Sequence, residues 1–360
     1  MRQPYCSSKI HASLPATSWS RSGTLTTVIA FQPSSPLAHV SYVVDSELLE
    51  SLSGRDWAFL LSPLSDPLYV TLIIVTLVVT VACFAACHLV GPLRSLCQRF
   101  HNRLLMNMEH VPLMLRVSLG MALIVAGVGD AVFLPNVPAG GFGGFEVGVG
   151  FCMVFGFMVR ASGMAALTLF CCGLAQSHYL LGAWETAAAA LLLIAYKPTR
   201  PSVDGILDID PLGDLLAPVS RKLNDFAPLL LRLALGSTLI WLAITEKAFN
   251  PRLCEAVVID YGLEDVIPVS TAMWVFSVGV IEIAVGTVLL LGIYTRCFCL
   301  ITMIILTLSF FYFKEDVAGH VTFFGSAASL TVMGAGRFSF DSWIAHRTRA
   351  VKGTAVPYPI

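Results

Sequence analysis

"EIAVGTVLLLGIYTR", residues 282–296, is an apolar run with a glutamate at one end and an arginine at the other. Residues 146–160 read "EVGVGFCMVFGFMVR", with Glu, Val, Gly, Gly and Arg at the same five offsets. At 100° per residue those offsets fall on one side of a helix. Glu282, Val285, Gly286, Gly292 and Arg296 therefore share a face, as do Glu146, Val149, Gly150, Gly156 and Arg160. Glycines there let another helix backbone approach closely, as packing inside a membrane favours. The spacing predicts two equivalent helices, each running from its Glu to its Arg and turned toward protein rather than lipid.

The repeat extends outward from this pair. "PLMLRVSLGMALIVAGVGDAVF" at 112–133 aligns with "PLLLRLALGSTLIWLAITEKAF" at 228–249. Arg116 then matches Arg232, Gly120 matches Gly236, and Asp130 matches Glu246. Further on, Trp184 falls against His320, and the copies finish in "SVD" (202–204) and "SFD" (339–341).

Of the 360 residues 56% are hydrophobic and 12% charged, whereas an ordinary soluble domain carries about a quarter charged residues. That is too little charge to cover a surface in water, so the chain is an integral membrane protein. A net charge of -1 leaves no electrostatic footprint for nucleic acid. Crossing the ~30 Å hydrocarbon core takes roughly 20 apolar residues. Such stretches lie near 68–90, 113–134, 142–159, 163–178, 180–197, 229–249, 273–294, 297–313 and 319–336, which predicts nine helices. The expected fold is all-α and membrane-integral, with two parallel four-helix units behind one extra N-terminal helix.

The boundaries follow. Residues 1–67 form an N-terminal tail, and 68–111 the extra helix and a basic loop. The first unit is 112–204, a polar linker 205–227, the second unit 228–341, and a cytoplasmic tail 342–360. Residues 1–44 hold no Asp or Glu and are rich in Ser and Thr. They resemble a transit peptide, although a disordered tail or a start assigned too far upstream fits equally well. Most cysteines sit inside apolar segments with no metal-like spacing, as small polarizable core residues do.

Four helices is an even number, so both units point the same way, as parallel repeats do. Lys and Arg crowd the loops on the side of 91–111, while the other side holds Arg252 and Lys314. Positive charge stays inside. The expected topology is a cell-membrane protein with its N-terminus outside and its C-terminus in the cytoplasm. The arginines at the inner ends are expected to anchor to lipid phosphate.

The acids are harder to place, since a charge at membrane depth costs about 2.5–3.5 kcal/mol on insertion scales. Glu246, Lys247, Glu282 and His320 are expected to gather in the outer half of the second unit. The first unit offers Asp130, Glu146 and Glu185 with neither Lys nor His at the matching positions. An active unit would be the second; a structural clasp between helices is the competing reading.

"LRLALGSTLIWLAITEKAF", "IEIAVGTVLLLGIYTR" and "GHVTFFG" together resemble the DoxX/DoxD family of four-helix membrane proteins. The resemblance covers 228–341 well and 112–204 as a more diverged copy, so this chain resembles a tandem-duplicated member. It implies a quinone-linked membrane oxidoreductase component, with Glu282 and His320 handling protons, Glu246 and Lys247 beside them, a quinone in an apolar groove, and a redox partner protein. The alternative is a non-enzymatic carrier or interaction protein with its site between the repeats. Besides membrane lipid and these partners, no haem, nucleotide or metal is indicated.

Overall fold

Apolar runs become helices because their side chains offer the backbone no competing hydrogen bonds, and they stop where glycine or proline lets the chain turn. The computed structural model describes residues 52–198, 200–313 and 317–343, which fall in one compact unit. The stretch 1–44, Lys314 and the tail beyond 343 lie outside the described residues.

A helical piece, Trp57–Ser65, is bent by 81° from α1 (Pro67–Leu89), and α2 (Gly91–Leu105) follows at once. The first half comprises α3 (Val111–Val128), α4 (Gly143–Phe155), α5 (Val159–Gln176) and α6 (Trp184–Ala195). Between α3 and α4, β1 (Ala131–Val132) and β2 (Leu134–Pro138) pair antiparallel, with Ala131 opposite Pro138. The second half comprises α7 (Gly213–Leu242), α8 (Pro251–Asp260), α9 (Thr271–Leu291), α10 (Thr295–Phe313) and α11 (Val321–Met333).

Among the described residues, α3, α5, α7, α9 and α10 are long and apolar enough to cross a membrane, and the bent pair at α1 adds a sixth span if it is one. The shorter helices α4, α6 and α11 are apolar too. The nine expected segments are therefore all helical, but three fall short of the roughly 20 residues a full crossing takes. The chain is an all-α, multi-pass membrane protein whose only strands among the described residues are the two of this short hairpin.

Two expectations change. The helix holding Glu282 begins at Thr271, capped by the Ser270 side chain, and ends at Leu291 rather than Arg296. Gly292 takes φ +71° and Gly156 φ +70°, the left-handed conformation that closes a helix and that glycine adopts without strain. Arg296 and Arg160 therefore open the next helices, α10 and α5. The polar linker 205–227 is also helical from Gly213 onward, and α7 runs on through Pro218 and Pro228. Leu216, Ser220, Leu223 and Ala227 form its inward stripe while Arg221, Lys222 and Asp225 stay exposed. The high polar content concealed that helical period.

Within each half the first two helices run antiparallel, backbone against backbone. A Cβ on Gly236 would lie 2.7 Å from the Gly286 carbonyl oxygen, and one on Gly120 2.8 Å from that of Gly150. The halves also interlock, since α3 packs against α11 and α7 against α6. Each half thus lends its first helix to the last helix of the other.

The glycine contact gives a direct test. In Gly286→Leu the new Cβ would meet the Gly236 carbonyl oxygen at 2.8 Å, and backbone cannot yield as a side chain can. We expect a loss of at least ~1–3 kcal/mol, seen as a lower Tm in detergent or as failed assembly. Thr287 is exposed, and Thr287→Leu should change stability by about 0.5 kcal/mol or less. Equal losses would show that the α7–α9 contact is not a seat of stability.

Candidate functional site

The end of α7 does not close as an α-helix. Ala243–Ala248 winds as a π-helix, and the Phe249 N–H donates to the Ile244 carbonyl at 3.0 Å, five residues back. Such widened turns concentrate at functional sites. This one turns two consecutive residues, Glu246 and Lys247, into the same cluster. Lys247 Nζ stands 2.8 Å from Glu246 Oε2 and 3.1 Å from Glu282 Oε1 on α9. Gly279 gives the lysine stem its passage, since a Cβ there would be 3.2 Å from Lys247 Cβ.

Exposure grades across the cluster. The Glu246 side chain is 1% exposed, that of Lys247 15% and that of Glu282 24%. Glu282 Oε2 is buried without a hydrogen-bond partner. One ammonium thus serves two carboxylates where water is scarce, the arrangement in which removing a partner is most costly. The Cys254 thiol donates to the Glu246 carbonyl oxygen at 3.6 Å, tying α8 to the π-helix.

His320 ends the turn that precedes α11. It is buried, with its ring edge-on to Phe310 at 5.0 Å between centroids. The turn Val317–His320 packs chiefly against α3, because of the interlock between halves. The structure therefore brings together Glu246, Lys247 and Glu282, and sets the His320 ring against Phe310.

The first half builds no such cluster. Asp130 is exposed at φ +51°, and the position matching Lys247 is Ala131, where the chain enters β1. Glu146 is fully buried; Oε1 accepts the Phe133 N–H at 3.2 Å and Oε2 has no partner. Glu185 is buried on α6 and accepts from the Thr238 hydroxyl of α7 at 2.7 Å, across the seam between halves.

The arginines do not reach for lipid phosphate. Arg232 is 2% exposed and donates to the carbonyls of Ala335 at 2.6 Å, Phe338 at 2.7 Å and Leu290 at 3.2 Å. Arg116 donates to the Pro201 carbonyl at 2.6 Å. Arg160 bonds to Ile194 O at the end of α6, and Arg296 to Thr331 O and Val332 O at the end of α11. They satisfy carbonyls that helix ends leave open.

Sequence reading missed a second layer of polar residues. Asn250 donates to the Thr245 carbonyl at 2.8 Å and accepts the Gly54 N–H at 3.1 Å. Arg252 bridges Asp56 and Glu255, each at 2.8 Å, and Glu255 accepts from the Thr271 hydroxyl at 2.9 Å. The Phe59 N–H and then Arg252 hold the Asp56 carboxyl below its usual range. These contacts fasten the segment before α1 to the end of α7 and the start of α9. Their only signal in sequence was charge near a span, which does not name partners some 200 residues away.

A cavity of about 180 Å³ is lined by Arg160, Asp204, Asp210 and Leu212 among others. Arg160 bonds to Ser220 of α7, and from there to Glu246 is roughly 39 Å of helix. Among the described residues no group of His, Cys, Asp and Glu is arranged to hold a metal ion.

Residues 227–315 match the model of the DoxX family, which supports DoxX-like membership for that segment. No curated protein and no solved structure matches the chain. The matched segment contains Arg232, Glu246, Lys247, Glu282 and Arg296 and stops short of His320.

Removing the shared ammonium should be severe. Lys247→Met leaves two carboxylates facing each other and should cost about 3–5 kcal/mol, read as a lower Tm in detergent. Adding Glu282→Gln should recover a good part of that loss. A Lys247→Met protein that melts like wild type would show that the cluster does not hold this end together.

Proposed function

We propose that this DoxX-like multi-pass membrane protein is the membrane component of a quinone-linked oxidoreductase. In this reading the Glu246–Lys247–Glu282 cluster takes up and releases the protons that quinone chemistry exchanges. The observation that carries it is Lys247 shared between two carboxylates, with Glu282 Oε2 left unpartnered. Two carboxylates against one ammonium leave a surplus negative charge, which a single proton neutralises in a site where solvent cannot. The Glu282 side chain keeps 24% exposure, the most of the three, and Ile281 and Ile283 on the two flanks of α9 are 50% and 40% exposed. A quinone dissolved in the bilayer would meet the cluster at Glu282, its most exposed member. His320 is the second proposed proton group, as an imidazole changes charge near neutral pH. A soluble redox protein would supply the electrons.

We also propose that residues 112–204 and 228–341 are tandem copies oriented with the N-terminus outside. Matching arginine clasps and glycine contacts in the two halves support the duplication. The basic residues of α2 and of the start of α7 support the orientation. A carrier remains the second reading, favoured by the interlock of α3 with α11 and α7 with α6, which runs a seam between halves through the middle of the fold.

Reduction of a quinone analogue in reconstituted membranes, with donor supplied by a lysate, tests the first reading. Glu282→Gln should lose most turnover while folding and insertion stay intact, and Glu146→Gln should keep most of it. A wild-type protein that neither binds nor reduces the analogue would shift the reading to a carrier. Topology is tested by cysteine labelling of intact cells. A probe in 253–270 should react from outside and one in 203–220 should not; the reverse pattern overturns the orientation.

A further inference from the structure

α1 ends at Leu89 and α2 begins two residues later, with Val90 extended between them and a proline in the first turn of α2. That break separates α2 from the axis of α1 before α3 begins. The sequence of α2, GPLRSLCQRFHNRLL, holds three arginines and no acid. Leu96 and Phe100, one turn apart on the same stripe, are 57% and 42% exposed. Arg99 and Arg103 form the adjoining stripe and are exposed too. Among the described residues neither arginine forms an ion pair. Leu104 packs against the core instead, and His101 meets the Arg296 guanidinium.

We propose that α2 is an interfacial helix that binds anionic phospholipid headgroups of the leaflet it lies on. Leu96 and Phe100 enter the boundary between headgroups and acyl chains, and Arg99 and Arg103 pair with phosphates. A helix with exposed apolar residues flanked by unpaired arginines gains from both layers of an anionic bilayer surface at once. A free phosphate would satisfy the arginines but leave Leu96 and Phe100 in water. A zwitterionic headgroup would bury the apolar pair but offer the arginines no net charge. The occupancy reaches the fold through the packing of α2 against α11. Lipid bound at α2 should therefore stabilise the whole protein.

The full chain, purified in neutral detergent, is mixed with phosphatidylglycerol or phosphatidylcholine. Retained lipid is read by native mass spectrometry and stability by Tm. We expect several-fold more phosphatidylglycerol retained and a Tm rise that phosphatidylcholine does not give. Arg99→Gln with Arg103→Gln should erase both preferences, and Arg99→Lys with Arg103→Lys should keep them. Should the glutamine variant fail to fold, high salt applied to wild type and the lysine variant gives the same reading, because salt screens exposed charge. Equal retention of the two lipids by wild type overturns the proposal. So does an unchanged preference in the glutamine variant or in high salt, or a Tm rise from inorganic phosphate alone.

Discussion

The carbonyls at a helix end inside a membrane have no water to accept from, and in this chain buried arginines meet that need. Arg160 and Arg296 sit in the first turns of α5 and α10 and donate to the last carbonyls of α6 and α11. Arg116 and Arg232 reach the loops that follow those same helices. Arg232, with its donors in a fixed fork, ties the end of α9 to the loop after α11 at one point. The aspartates of "SVD" and "SFD" complete the junction. Asp204 accepts from Met158 N and Val159 N, and Asp341 accepts from Tyr294 N, each contact at 2.8 Å. Donors that open α5 and α10 are thereby satisfied as well, so both signs of helix-end charge are met in one layer.

That layer dictates the glycines. A Cβ on Gly156 would occupy the place of the Arg116 guanidinium, and one on Gly292 the place of the Arg232 guanidinium. The same glycines turn the chain left-handed, so steric room and backbone conformation select the same residue. Farther along the helix pairs, Gly120 against Gly150 and Gly236 against Gly286 bring backbones together. The first helix of each half is fixed at one end by an arginine and along its length by glycine. Only its far end is free to differ.

That far end is where the halves part, and it also marks the limit of what the sequence discloses. The nine apolar segments, the antiparallel first pair in each half and the meeting of Glu246, Lys247 and Glu282 were all legible, because each follows from hydropathy or helical spacing. The end of the Glu282 helix was misread. An offset of ten residues keeps Gly292 on the Glu282 face of a continuous helix, and spacing alone does not distinguish a packing glycine from a terminating one. The arginines were misassigned for a related reason: a basic residue at an inner helix end fits lipid phosphate and buried carbonyls equally well. The packing of the His320 turn against α3 was not foreseen, because the interlock of α3 with α11 lies beyond any local pattern. The π-helix too has no sequence signature in "AITEKA".

The divergence at that end follows from charge. In the first half Glu146 faces a hairpin, and a single backbone N–H is its partner. In the second half a π turn, a lysine and the added helix α8 replace the hairpin, and Asn250 and Arg252 anchor the segment before α1 across them. A lysine at position 131, which matches Lys247, would enter β1 instead of a π turn. The widened turn and the ammonium therefore depend on each other: the turn aims Lys247 between the two acids, and the lysine makes it tolerable to hold those acids together. Structure common to both halves serves the membrane fold, while what the second half adds is gathered around one ammonium.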